Sequence, residues 1–263
     1  MPLVLLAGLS LVTSVERAGA HDFWIEPSSF RPGHGQAISI DLKVGEMFVG
    51  DSIPRRSEAI ERFSVVEADR TVPVAGSEGV VPAGMASPAA GQPAIVVYDG
   101  GGGTTSLDAV RFEAYLRAHG LEWVVEGRAR AGETDRPVRE RFRRHAKALL
   151  GHGGQASIFG MVLDQTLELV PVGDPTRAGP SQVELMVRWR GAPLVGCLVL
   201  ARSRDNPAKA LSARSDAQGH LTLPLGHGIW LLQAVWMERG GWFSDADWHS
   251  EWASLTFLKA GGQ

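Results

Sequence analysis

The chain has 263 residues, a formal net charge of −3 and a single cysteine. That balance excludes a polyanion such as nucleic acid, or an acidic membrane surface, as the partner, and one cysteine excludes both an internal disulfide and a cysteine-rich metal cluster. Its 32 Gly and 15 Pro point to many short strands joined by turns.

Leu3 to Val12 is a short apolar run, followed by polar residues and Ala18-Gly19-Ala20. It reads as a secretory leader, because a membrane span takes about 20 apolar residues and a signal peptidase cuts after small ones. No Lys or Arg precedes Arg17, so the basic segment usual in such leaders is missing. Cleavage after Ala20 defines residues 1–20 as signal peptide and sends the mature chain to the periplasm without a membrane span. It also makes His21 the first residue. A histidine there carries a free α-amine beside its ring, and amine plus Nδ1 can close one chelate ring on a metal.

From Gln36 to Val44 apolar and polar residues alternate, the period of a strand with one buried face. Arg62 to Glu67, Thr71 to Ala75 and Pro93 to Tyr98 read as further strands, and Gly100-Gly101-Gly102-Gly103 as a flexible connector. A helix is expected with Ser106 as its cap and Gly120 as its terminator, with Phe112, Tyr115, Leu116 and His119 on one face, and His119 reads as a packing residue or a helix C-terminal cation. Leu121 to Ala129 reads as a strand. Val138 to Leu150 reads as a second helix, with Phe142, Ala146, Leu149 and Leu150 on one face and Arg139, Arg141, Arg143, Arg144 and Lys147 on the others. His145 and His152, seven apart, do not have the i, i+4 spacing of a helical metal pair.

Beyond the glycines at 151–154 the pattern is β only: Val183 to Trp189, Leu194 to Leu200, Leu221 to Leu223, Ile229 to Met237 and Ser254 to Leu258. Cys197 reads as a small core residue. His34, His220 and His227 sit in glycine-rich or turn sequence and read as exposed loop residues. Five tryptophans crowd 230–252, where alternation favours core packing over an aromatic platform. The fold class is therefore mainly β, two β-sandwich domains with two short helices between them. The boundaries read as an N-terminal β domain at 21–105, a helix-containing connecting region at 106–175 that completes it, and a C-terminal sandwich at 176–263.

His21-Asp22-Phe23-Trp24-Ile25-Glu26-Pro27, Phe-x-x-Tyr-Leu-x-x-x-Gly-Leu at 112–121, Arg139-Glu140-x-Phe142-x-Arg144-x-x-Lys147, Leu167 to Pro171, Gly228-x-Trp230 and Trp248-x-Ser250-x-Trp252-Ala253-Ser254-Leu255 follow in order. This succession resembles a family of secreted bacterial proteins that carry a domain of unknown function and have long been labelled nickel/cobalt-uptake accessory proteins. The resemblance implies a periplasmic two-domain β protein, its second half similar to transthyretin-like or carboxypeptidase-regulatory sandwiches, engaged in transition-metal handling. Relatives often carry His-Met after the Gly-x-Trp strand where this chain has Trp236-Met237, and His249 is the residue placed to substitute.

The expectation is a non-enzymatic accessory protein that binds nickel, cobalt or copper through His21 with His249 and serves a membrane metal transporter. The alternative is a metal-free envelope interaction module that docks a transporter or another partner through its sandwiches and basic helix. A third reading, a copper oxidase of polysaccharides, needs a second histidine beside His21 and a flat aromatic surface. Neither Gly-x-Ser-x-Gly nor His-Glu-x-x-His occurs, so hydrolase chemistry has no constellation to run on.

Overall fold

A computed structural model describes residues 22–33, 35–89, 92–151, 156–179 and 181–261; the leader and His21, His34 and His152 lie outside them. In chain order the first elements are β1 (Asp22–Pro27), β2 (Ile38–Glu46), β3 (Val49–Ile53), β4 (Ile60–Val66), β5 (Thr71–Pro73), β6 (Gly84–Ala86), β7 (Ala94–Leu107), α1 (Ala109–Ala118) and α2 (Glu122–Arg130). They continue with β8 (Val138–Leu150), β9 (Leu167–Val172), β10 (Gln182–Trp189), β11 (Ala192–Pro193), β12 (Leu198–Ser203), β13 (Asn206–Arg214), β14 (His220–Pro224), β15 (Gly228–Arg239) and β16 (Trp248–Lys259). The chain is a mainly-β, sandwich-type fold with two helices, as the alternation predicts.

Eight strands form one central sheet in the order β13-β12-β15-β16-β8-β7-β4-β5. Every pairing in it is antiparallel except β16 with β8, which runs parallel from Trp248↔Glu140 to Thr256↔Ala148. The sheet draws strands from before, within and after the 106–175 region, so both sandwiches share it. Its middle strands are apolar on both sides because both sides are covered. Val96, Tyr98, Ala146 and Ala148 pack against Phe23, Ile25, Ile40 and Leu42 of the small sheet β1-β2-β3, to which β6 adds. Ile95, Val97, Leu149, Leu255 and Phe257 pack on the opposite face against Leu169, Leu185, Val187 and Leu223 of the second small sheet, built by β9, β10, β11 and β14. Cys197 lies fully buried in that second core, as expected, and burial pushes its thiol up to about 12, which keeps it unreactive. The exposed backbone edge of β1 is tied down where Thr256 Oγ1 donates to the Ile25 carbonyl at 2.8 Å.

Three local expectations are corrected. Val138 to Leu150 is β8, a strand. Its even positions Val138, Phe142, Ala146, Ala148 and Leu150 lie against the helices or the first small sheet, while His145, Lys147 and Leu149 lie on the other face. A run apolar on both faces fits the helical period and the interior strand alike, and here the pairing with β7 and β16 decides. Leu121 to Ala129 is helical instead. Leu121, Val124 and Arg128 are buried at i, i+3 and i+7, and Glu122 opens the helix while Arg128 and Arg130 close it, matching its dipole.

The third correction concerns the glycines. Gly100 to Gly103 belong to β7, where the register against β8 shifts between Gly100 and Gly103. Gly102 has φ +80 and a Cβ there would lie 1.8 Å from the Phe142 carbonyl oxygen, so the bulge admits only glycine. α1 is a helix ended by Gly120 as expected, but Ser106 belongs to β7 and Asp108 is the cap. Asp108 accepts from Arg111 N at its start, and Gly120, at φ +70, lets Leu121 N reach back to the Leu116 carbonyl at 2.8 Å.

The buried Lys147–Glu168 ion pair, Nζ to Oε1 at 3.0 Å, joins β8 to β9 across the second core. Lys147→Met alone strands the Glu168 carboxylate and is expected to cost about 3–5 kcal/mol in urea unfolding. Replacing both by methionine is expected to regain at least half of that. Equal losses for the single and double variants would show that the pair does not fix β9 on the sheet.

Candidate functional site

A row of alternating charge crosses four strands of the central sheet. Arg62 of β4 meets Asp99 of β7, with Nε 2.5 Å from Oδ2. Asp99 Oδ1 lies 2.6 Å from His145 Nδ1 on β8, and His145 Nε2 lies 2.7 Å from Glu251 Oε2 on β16. Gln165, in the loop before β9, adds a donor to Asp99 Oδ1 at 2.8 Å and another to the Tyr98 carbonyl at 3.1 Å. Arg62, Asp99 and His145 are direct cross-strand partners, so the sheet register itself aligns them.

Burial works against the His145 cation, but hydrogen bonds to Asp99 and Glu251 and their charges outweigh it, and the imidazole stays protonated above its ordinary range. Burial likewise opposes the Asp99 carboxylate, and His145, Arg62 and Gln165 overcome it, holding the group below its ordinary range. With both ring nitrogens donating to carboxylates, His145 has no lone pair for a metal. The row is a closed structural device.

A second polar cluster lies under the helices. Tyr115 of α1 donates to Glu140 Oε1 at 3.0 Å, Ser250 donates to the same oxygen, and Trp252 Nε1 donates to Ser250 Oγ at 3.2 Å. The Tyr115 and Trp252 rings stack at 5.5 Å, and the His119 ring stands edge-on to both. Burial, with the Arg202 charge adding to it, drives His119 down to about 4. It is a neutral packing residue, not a helix-end cation.

An opening lies between the first small sheet and strands β7 and β8 of the central sheet. A cavity of about 260 Å³ is lined by Phe23 of β1, Leu42, Ile53, Pro54, Arg56, Ala59, Ile60, Tyr98, Gly100, Gly102, and Phe142 and Arg144 of β8. The half-buried Arg144 guanidinium sits between two rings, 5.1 Å from the Phe23 centroid and 5.0 Å from that of Phe142. The glycine bulge shapes the wall. A Cβ on Gly100 would meet the Tyr98 hydroxyl at 2.6 Å, and one on Gly103 the Phe142 ring at 2.9 Å.

Of the expected metal ligands, His21 lies outside the described residues. His249 bonds Ser244 Oγ at 2.7 Å within the turn between β15 and β16. Alternation puts it on the face of β16 that carries Glu251, Ala253 and Leu255, whereas β1 packs on the other face, where Thr256 meets Ile25. Among the described residues no group of three or more His, Cys, Asp or Glu is arranged to hold a metal ion.

The basic cluster divides in the same way. Arg139 and Arg141 reach Asp245, Arg143 reaches Glu61, Lys147 is buried, and Arg144 points the other way into the cavity. Among the five clustered tryptophans, Trp230, Trp248 and Trp252 are buried and Trp236 is partly so, while Trp242 is fully exposed. The Asp99, His145 and Glu251 row and the Arg144 cavity were not legible from spacing, because their members come from four or more separated segments. The one local signal was the four-glycine run.

Comparison with family models gives one match, to a domain of unknown function (DUF4198), over residues 18–238. A comparison with curated proteins finds no match. Among the described residues no helix is long and apolar enough to cross a membrane.

The charge row makes stability depend on pH in both directions. The raised His145 contributes fully below its ordinary 6.5, and that contribution is lost as pH rises through its folded value. The lowered Asp99 contributes above its ordinary 3.8, and that is lost as pH falls through its folded value. Urea midpoints are expected to peak between those values. His145→Gln is expected to be less stable at pH 5 by about 3–5 kcal/mol and to lack the alkaline decline. A midpoint profile identical to wild type would remove the imidazolium from this account.

Proposed function

The chain belongs to the DUF4198 family, and we propose that it works as a non-enzymatic binding module outside the cytoplasm, with the cavity between Phe23 and Phe142 as its ligand seat. The observation that carries the reading is a preformed, partly open cavity of about 260 Å³ whose walls are set by strand backbone and packed rings. Small-molecule sites are concave, mostly apolar and furnished with a few polar groups. This one has that make-up, with Arg56, Arg144 and the Tyr98 hydroxyl as its polar groups. The leader-like residues 1–20 support export.

The family resemblance supports a second reading, nickel, cobalt or copper binding through His21 in service of a membrane transporter. The observation in its favour is that β1 is anchored from Asp22 onward. The Asp22 carboxylate accepts from Met47 N at 3.2 Å, and Asp22 pairs with Gly45.

Two measurements test these readings. In thermal unfolding of the mature chain, benzamide or indole is expected to raise the midpoint, by several degrees at 100 times its Kd, and Ala59→Phe is expected to abolish the shift by filling the cavity. Absence of any shift in the wild type removes the seat. For the metal, intact mass is expected to show a mature chain that starts at His21 and binds one equivalent of nickel or copper, lost in His21→Ala. A different start, or unchanged binding in that variant, ends the chelate reading.

A further inference from the structure

We propose that this seat is selective for a small carboxylate with an apolar body, its carboxylate held by Arg144 and the Tyr98 hydroxyl and its body against Phe23, Leu42 and Ile53. The proposal rests on the binding-module reading and specifies the ligand's chemistry.

Arg144 differs from its neighbours on the same strand. Arg139 and Arg141 reach Asp245, and Arg143 reaches Glu61. Among the described residues Arg144 has no carboxylate or carbonyl acceptor, only the faces of two rings. Contacts with ring faces leave the N–H donors of a guanidinium unused, and a planar fork with unused donors matches the two oxygens of a carboxylate. No acid lines the cavity, while Arg56 stands exposed at its rim, so the charged side chains in its lining are both cations; Glu61 and Asp99 behind the wall are met by Arg143 and by Arg62 with His145.

Tyr98 supplies a second donor. Its hydroxyl has only a long contact, 3.5 Å, to the Ala59 carbonyl, and the absence of a side chain at Gly100 lets the Tyr98 ring lie over the strand with its hydroxyl at the cavity wall. Burial raises the Tyr98 pKa and lowers that of Arg144, so the phenol keeps its proton and an arriving anion relieves the desolvated cation. One half-buried charge balances a monoanion better than a phosphate dianion. The remaining lining, Phe23, Leu42, Ile53, Pro54 and Ile60, is apolar and accepts a ring or short chain, and about 260 Å³ restricts that body to a small one.

The test is calorimetric titration of the mature chain with three probes of one shape, benzoate, benzamide and benzylamine. Benzoate is expected to bind at least about tenfold tighter than benzamide, and benzylamine not at all. Arg144→Gln is expected to erase the preference, bringing the ratio of benzoate to benzamide affinity to about one. Arg56→Ala and Tyr98→Phe, which need no repacking at the ring sandwich, are expected to weaken benzoate a few-fold each, and Arg56→Ala to reduce its salt dependence.

Equal affinity for benzoate and benzamide overturns the proposal and leaves the module reading standing. Failure of all three probes removes both. A preference that survives in Arg144→Gln, or in the other two variants should that one not fold, also overturns it. Hexanoate and a tripeptide ending in a free-carboxylate Phe then tell a free acid from a chain terminus, and tighter binding of either over its amide supports the proposal.

Discussion

The parallel pairing of β8 with β16 is the constraint on which the rest of the molecule depends. It is the one parallel contact in an eight-stranded sheet otherwise built from antiparallel pairs, and it joins the strands of the first half to those of the second. Parallel pairs form between segments distant in sequence and cannot be set by a tight turn, so something else must hold this register. His145 does so, since its two ring nitrogens take one carboxylate from β7 on one side and one from β16 on the other. A slip of one residue would turn the imidazole to the opposite face, leaving Glu251 without its cation and Asp99 with Arg62 alone.

Once the central sheet exists, its width dictates the layers. Both faces of the middle strands are apolar and must be covered, by the first small sheet and the helices on one side and the second small sheet on the other. The cover on the first side comes from two different kinds of structure that do not meet edge to edge. The cavity lies between the first small sheet and Phe142 and Arg144 of β8, and the bulge at Gly100 to Gly103 shapes its wall by drawing the β7 backbone onto β8 without side chains in the way. The cavity lies against the first cover layer, and among the described residues Arg144 enters it with ring faces but no acid or carbonyl as partner.

The two polar assemblies on β8 illustrate how one strand serves two purposes. Its odd positions run from exposed arginines paired with Asp245 and Glu61 into the buried His145 and Lys147, every charge met by an opposite one. Its even positions run from Val138 under the helices to Ala148 and Leu150 under the first small sheet, and Arg144 is the even-side cation that meets no acid. Closed networks stabilise, whereas an open donor in a cavity is available to a ligand.

By itself the sequence determined the elements whose signal is local. The alternation of Ile38, Ile40 and Leu42, the helix that ends at Gly120, and the burial of Cys197 all follow from spacing and composition, and so does the mainly-β class. Tertiary structure alone decided three things. Val138 to Leu150 became a strand because neighbours on both sides could pair with it, a fact absent from a run whose apolar residues fit either period. Gly100 to Gly103 became a bulge because the Phe142 carbonyl approaches there. His145, Arg144 and Tyr98 acquired their roles because register, not sequence spacing, brings distant strands side by side: a charge is structural or free according to what stands opposite it, and only the folded sheet determines that.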